Sequence, residues 1–340
     1  MSTSDVTRKG LRGVQPDRDA LTGVAAGRAG KRSRRDGDPT VPEAEFTSYY
    51  GKSVLNPPTW QSPDIPGYLF LGGLAGAGAL LAAGAQASGR AALARRMKVG
   101  MLAAGLLSLL GLVHDLGRPG RFLHMLRVFK VTSPMSVGSW LLAGFVPLAG
   151  VSAAAAVTGR LPRIGGAATA GAAVLGPAVA AYTAALISDT AVPAWHDGYH
   201  EMPFVFVGSG AGAAGGLGMV CAPVEQQGPA RALGALGAAL ELIAFERMER
   251  RMGMVAEPYS TGRAGAYIRT GKVLSVAGAI GALVGRPALT RAAGVALVAA
   301  SAATRWGIYH AGMRSAQDPR YTVVPQRARL SSGPGSDPSA

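Results

Sequence analysis

The chain reads as an all-α integral membrane protein, a bundle of about eight transmembrane helices. Three observations carry this. Of its 340 residues, 49% are hydrophobic and only 16% are charged, against roughly 25% charged in a typical soluble domain. The apolar residues gather in runs of near-spanning length, not in the ten-residue alternation of barrel strands. The 49 glycines, about twice average usage, lie inside those runs, as in LFLGGLAGAGALLAAGA and VGSGAGAAGGLGMV. In water each would weaken a helix by up to about 1 kcal/mol, but in lipid small residues let helix backbones approach closely.

Taken in order, residues 1–59 are rich in Gly, Asp, Arg and Pro and have no apolar core. They are expected to form a polar, largely disordered tail as far as about Pro42. No apolar stretch follows the early charges, so a secretory signal is not expected. The KRSRR run at 31–35 is flanked by Asp36 and Asp38 and reads as solvated tail. Eight apolar runs follow, at 67–87, 99–113, 135–157, 164–187, 204–221, 232–245, 273–284 and 292–308. The shorter ones fall below the roughly 20 residues that cross a bilayer and are expected to recruit polar flanks, with 230–251 and 264–285 helical throughout. The transmembrane domain is placed at 60–313, with a polar C-terminal tail at 314–340.

The net charge of +15 fits a membrane surface better than nucleic acid, because the bases sit at span ends and membrane lipids are the natural partners there. Arg90, Arg95, Arg96 and Lys98, then Arg160 and Arg163, Arg231, and Arg286 and Arg291 lie on connections opposite the termini, with Glu225 as the one acid. By the positive-inside rule that face is cytoplasmic and both termini are external in a multi-pass cell-membrane protein. Arg247, Arg250, Arg251, Arg263 and Arg269 on the termini side pull the other way.

Cys221 is the only cysteine, so the chain forms no internal disulfide and holds no iron–sulfur cluster, which takes about four thiolates. His114, His124, His196, His200 and His310 fall at span ends or in connections, which argues against a membrane-embedded haem. The i, i+4 pair His196 and His200 suits a metal only on a helix with further ligands converging, and no metal site is expected.

The polar, basic loop at 113–140, VHDLGRPGRFLHMLRVFKVTSPMSVGSW, is anomalous between two apolar runs. Together with GYLFLGGLAGAGALLAA before it and YTAALISDTAVPAWHDGYHEMPFVFVGSG after it, in that order, it resembles the NrfD/PsrC family of membrane subunits over about residues 49–313. That resemblance implies an eight-helix protein without haem. Such a subunit exchanges electrons between a membrane quinone (menaquinone or ubiquinone) and a ferredoxin-like iron–sulfur subunit, itself coupled to a molybdopterin catalytic subunit. A quinone takes up two protons with its two electrons, so its site needs titratable or hydrogen-bonding groups beside an apolar slot.

Asp64 and Tyr68 are four residues apart at the start of the first helix and share one face. The resemblance implies that this pair addresses the quinone, although the polysulfide reductase member carries Asn and His there. The alternatives are a helix-start acid favoured by the macrodipole and an interfacial aromatic anchor. Tyr182 is a phenol inside an apolar span at what resembles the family's quinone-bonding tyrosine; a structural bond to a neighbouring helix is the other reading. Trp195 reads as an interfacial belt residue. In HDLGRP, Gly117 and Pro119 end the helix, so His114, Asp115 and Arg118 should gather there, Asp115 pairing with Arg118 and His114 relaying protons. Arg121, His124, Arg127 and Lys130 are expected to meet the partner subunit or lipid headgroups. Glu241 and Arg305 lie farthest inside apolar runs, where a charge costs on the order of 3 kcal/mol. They are expected to form a proton route; the alternatives are a structural ion pair between them or snorkelling by Arg305. Two other functions share these features: a proton-coupled secondary transporter and a purely structural anchor.

Overall fold

The computed structural model describes residues 54–331 apart from Pro119 and Arg121, together with two short strands, β1 (Val6–Thr7) and β2 (Gly10–Leu11). The strands pair antiparallel, Val6 opposite Leu11, within a unit spanning Met1–Thr47. Apart from β1 and β2, the stretch expected to be disordered up to Pro42, with the basic run at 31–35, lies outside the described residues.

The second unit, Ser48–Ala340, holds eight helices long and apolar enough to cross a membrane. They are α1 (Asp64–Ala87), α2 (Ala91–Asp115), α3 (Pro134–Thr158), α4 (Pro162–Ser188), α5 (Met202–Cys221), α6 (Gly228–Met252), α7 (Gly262–Val284) and α8 (Pro287–Gln317). The all-α bundle expected from composition is therefore present. The four shortest apolar runs do extend into polar flanks, because once a helix is nucleated each further backbone hydrogen bond costs little. The polar stretch beyond residue 313 is also helical, through the end of α8 and then across Arg320–Ser331.

Local chemistry sets the helix ends. Proline occupies the first turn of α3, α4 and α8, where its missing N–H is no loss. The Ser133 side chain accepts from Ser136 N at the start of α3. Gly285 closes α7 at φ 75°, a left-handed conformation open to glycine. Beside it the Arg231 guanidinium donates to the carbonyls of Ala282 (2.6 Å) and Leu283 (3.0 Å), satisfying acceptors that the helix end leaves free.

The bundle has two halves with the same neighbour pattern. In the first, α1 packs on α2 and α4, and α3 packs on α2 and α4; in the second, α5 packs on α6 and α8, and α7 packs on α6 and α8. Contacts of α1 with α5, and of α4 with α5, join them. Small residues bring the backbones together. A Cβ on Gly208 would stand 2.6 Å from Glu241 N on α6, a distance only glycine tolerates. Large apolar side chains such as Leu110, Val174, Leu236, Ile243 and Leu283, each more than 60% exposed, cover the outside, which is the surface a lipid solvent requires.

Between α4 and α5, on the side where α1 begins, Glu201 is almost fully buried. It accepts from Arg251 Nε (2.9 Å) and Nη2 (2.7 Å), with Arg247 at 3.8 Å. The Arg251 guanidinium holds the Glu201 carboxyl below its usual range. A depressed carboxylate stabilises the fold above its unfolded-state pKa of about 4.3 and loses that contribution as pH falls through the folded value. Glu201→Gln is therefore expected to cost on the order of 1 kcal/mol at neutral pH. In thermal unfolding in detergent, the melting temperatures of variant and native protein should draw together as pH falls from about 4.3 through the lowered Glu201 value; a pH-independent gap would rule the ion pair out as the cause.

Candidate functional site

Four helices of the first half converge where α1 begins. Asp64 opens α1 and Tyr68 follows one turn later. Gly111 of α2 lets α1 approach, since a Cβ there would lie 3.2 Å from the Asp64 carbonyl and 3.8 Å from Tyr68 Cβ. One carboxylate oxygen of Asp64 pairs with His114 Nδ1 at 2.7 Å. The His114 side chain is 77% exposed and that of Asp64 only 17%, so the pair runs from the protein surface inward. Tyr68 is 2% exposed and Tyr182 8%. Their hydroxyls bond to each other across the contact between α1 and α4, the rings meeting edge to face at 6.4 Å. Gly138 of α3 lies flat against the Tyr182 ring, and Ser108 of α2 donates to the Tyr68 carbonyl at 3.0 Å.

The structure brings Asp64 and Tyr68 of α1, expected to share one face, together with Tyr182 of α4, and it changes several of the expected partners. Tyr68 is buried and cannot be an interfacial anchor. Tyr182 does bond to a neighbouring helix, and its partner is the other candidate tyrosine. Asp115 does not pair with Arg118 among the described residues; its Oδ1 accepts from Gln61 N at 3.0 Å. The reason is that α2 runs on through Asp115 before Gly117 turns at φ 67°, so Asp115 faces the segment leading into α1 and the acid reaching His114 is Asp64.

Trp195 is a correction. It is fully buried, not a belt residue: its indole N–H donates to the Ile308 carbonyl at 2.7 Å, and its ring stacks on Trp60 at 5.3 Å. Tyr309 donates to the Trp60 carbonyl at 2.6 Å, so these rings clamp the segment before α1 against α8. Burial of an indole demands a hydrogen-bond partner, and the Ile308 carbonyl supplies one. His196 ends a one-turn helix, Pro193–His196, and its Nδ1 lies 3.0 Å from the Ser188 carbonyl. His200 lies beyond that helix, in the turn that follows it. Among the described residues no group of three metal-ligating side chains converges.

A second polar group lies in the other half. Glu241 of α6 (5% exposed) and Arg305 of α8 (0%) are both buried, yet they form no ion pair within 4.0 Å, so the simple salt bridge is corrected. Arg305 Nη2 donates to the Phe206 carbonyl at 2.8 Å, and the guanidinium lies 3.6 Å over the Phe206 ring. Glu241 Oε2 accepts from Ser275 Oγ at 3.2 Å, and Ser209 donates to Ser301 at 2.9 Å. Arg305 Nε and Nη1 and Glu241 Oε1 have no partner. Buried unpaired polar atoms are costly, so this cluster has capacity for water or for a mobile proton. Ser301, Thr304 and Arg305 at i, i+3, i+4 on one apolar helix were the signal that would have revealed it.

The loop after α2 is exposed. Leu123, Val128, Phe129 and Val131 are each more than 55% exposed beside His124, Arg127 and Lys130. Lys130 N donates to Ser136 Oγ and the Trp140 indole to the Val128 carbonyl, which pins the loop to α3. Arg121 lies outside the described residues.

Residues 55–228 match the family described as Polysulphide reductase, NrfD. No curated protein matches the chain.

Proposed function

As the chain belongs to the Polysulphide reductase NrfD family, we propose that it is the quinone-interacting membrane subunit of a multi-subunit oxidoreductase. In this reading it exchanges electrons and protons between a membrane quinone or quinol and an iron–sulfur subunit of a molybdopterin-type enzyme. The observation that carries it is the buried Tyr68 and Tyr182 hydroxyl pair one turn below Asp64 and the exposed His114. The phenols are donors placed among apolar helices, suited to a quinone oxygen once they part from each other. The Asp64 carboxylate and His114 imidazole give a proton a two-member route to the surface, and imidazole titrates near neutral pH.

Because the quinone is substrate and the electrons leave for another subunit, the chain's own work is binding, orientation and proton movement. Asp115 serves by fixing the Gln61 segment beside this site, and Arg118, exposed just past the end of α2, would add positive charge on this side. Glu241 and Arg305, with their unpaired atoms and the serines around them, would extend proton movement toward the second half. The exposed apolar loop bearing His124, Arg127 and Lys130, with Arg121 in the same basic segment, is the proposed docking face for the iron–sulfur subunit.

Tyr182→Phe combined with Asp64→Asn is expected to slow quinol-linked electron transfer by about 100-fold, as loss of positioned acid–base groups does. The complex should still assemble, since both substitutions keep side-chain volume. Steady-state turnover with a soluble quinol analogue, beside co-purification of the partner subunits, measures this. Unchanged turnover would move the site elsewhere, and substrate uptake into liposomes by the lone polypeptide would replace the conduit with a transporter.

A further inference from the structure

We infer that the cleft between α7 and α8 is a binding site for one anionic phospholipid, its phosphate held by Arg263 and Arg314 and one acyl chain lying between the two helices. The cleft encloses about 760 Å³ and is lined by Arg263, Tyr267 and Leu274 of α7 and by Trp306, His310 and small alanines of α8. Those positions recur at 263, 267, 270 and 274 on one helix and 299, 303, 306 and 310 on the other. Each set is one face, roughly 16 Å long at 1.5 Å rise per residue. The polar side chains gather at one end, where α7 begins and α8 nears its end, and the inner part is apolar. A headgroup-and-chain molecule has that same division.

Charge decides the headgroup. Among the described residues neither Arg263 nor Arg314 has a carboxylate within 4.0 Å. The acids nearest them in the chain, Glu257 and Asp318, are both engaged by Arg320, at 3.8 Å and 3.0 Å. Gly262, at φ 57°, has no side chain, and the Arg314 guanidinium occupies the space where one would stand. This brings the second positive charge to the start of α7 beside Arg263. The cleft between α6 and α7 differs: its bases Arg250, Arg251 and Lys272 already hold Glu246, Glu201 and Glu249. At the α7 and α8 cleft, His310 is fixed by parallel stacking on Tyr267, ring centroids 5.6 Å apart and 9° between planes. That leaves the edge of the imidazole available to a phosphate oxygen. Guanidinium and phosphate form charge-assisted, frequently bidentate hydrogen bonds, whereas an uncharged quinone would leave both arginines uncompensated. Anionic headgroups are also attracted to such sites over zwitterionic ones.

The test uses the full-length protein, stripped of lipid in detergent and titrated with phosphatidylglycerol, phosphatidylcholine or a menaquinone analogue under native mass spectrometry. Phosphatidylglycerol is expected to bind at least tenfold more tightly than phosphatidylcholine. Arg263→Gln with Arg314→Gln should abolish that preference, phosphatidylglycerol losing far more affinity than phosphatidylcholine, whose choline cation already offsets part of its phosphate charge. Both arginines are exposed, so the double variant keeps its fold; Ala303→Phe, which fills the inner cleft, should weaken retention of either phospholipid. Equal binding of the two phospholipids, native phosphatidylglycerol affinity in the double variant, or displacement of the lipid by the quinone analogue would overturn the proposal.

Discussion

Valine at Gly210 is expected to stop the two halves of the bundle from closing on each other. Gly210 of α5 faces Gly73 of α1, and a Cβ added there would stand 2.8 Å from the Gly73 carbonyl oxygen and 3.0 Å from its carbonyl carbon. These are backbone atoms in a helix, so no rotamer change relieves the overlap and the helices must separate. Overpacking a well-packed site costs about 1–3 kcal/mol, and valine here belongs at or above the upper end. Separation would also loosen Arg305, whose Nη2 lies within 3.4 Å of where a Gly73 Cβ would be. The measurement is the folded fraction and melting temperature after detergent extraction. Gly84→Ala is the control: nothing lies within 4 Å of a Cβ there, and helix propensity favours alanine by up to about 1 kcal/mol. A monodisperse Gly210→Val protein melting with the native one would refute the close-contact account.

The second large effect separates stability from function. Arg305→Met is expected to leave the protein at least as stable as the native chain while slowing proton-coupled quinol turnover at least tenfold, on the scale of a lost proton-transfer group. Arg305 is completely buried with one donor bonded to the Phe206 carbonyl and two nitrogens unpartnered. The desolvation of such a charge is poorly repaid where it forms no ion pair, and an apolar side chain of similar volume removes that cost. A residue kept at that cost is kept for what it does, as the unpaired Glu241 oxygen opposite also suggests. Thermal unfolding and turnover measured on the same preparation decide it. Marked destabilisation would make Arg305 a structural strut, and native turnover in a stable variant would remove the second half from the proposed proton route.

Much of the fold follows from local pattern. The apolar runs mark the eight helices because a lipid-exposed backbone must satisfy its hydrogen bonds within the helix, and the prolines that open α3, α4 and α8 mark their starts. Asp64 and Tyr68 were recognisable as a unit because i, i+4 spacing puts two side chains on one face whatever surrounds them. The extension of α6 and α7 into charged flanks followed from the same periodicity.

Pairings over long separations were of another kind. Asp115 and Arg118 are close in sequence and were expected to meet. The chain instead brings Asp64 to His114 across 50 positions and Tyr68 to Tyr182 across 114. Trp195 could be a belt residue on composition alone; packing against Trp60 and Tyr309 makes it a buried wedge. Periodicity within one helix establishes which side chains share a face, and so the number, extent and apolar character of the helices. Which faces meet depends on backbones touching at Gly73, Gly111, Gly208 and Gly210. That choice is made by three-dimensional packing, because the contact energy belongs to pairs of helices and is written in neither sequence segment alone.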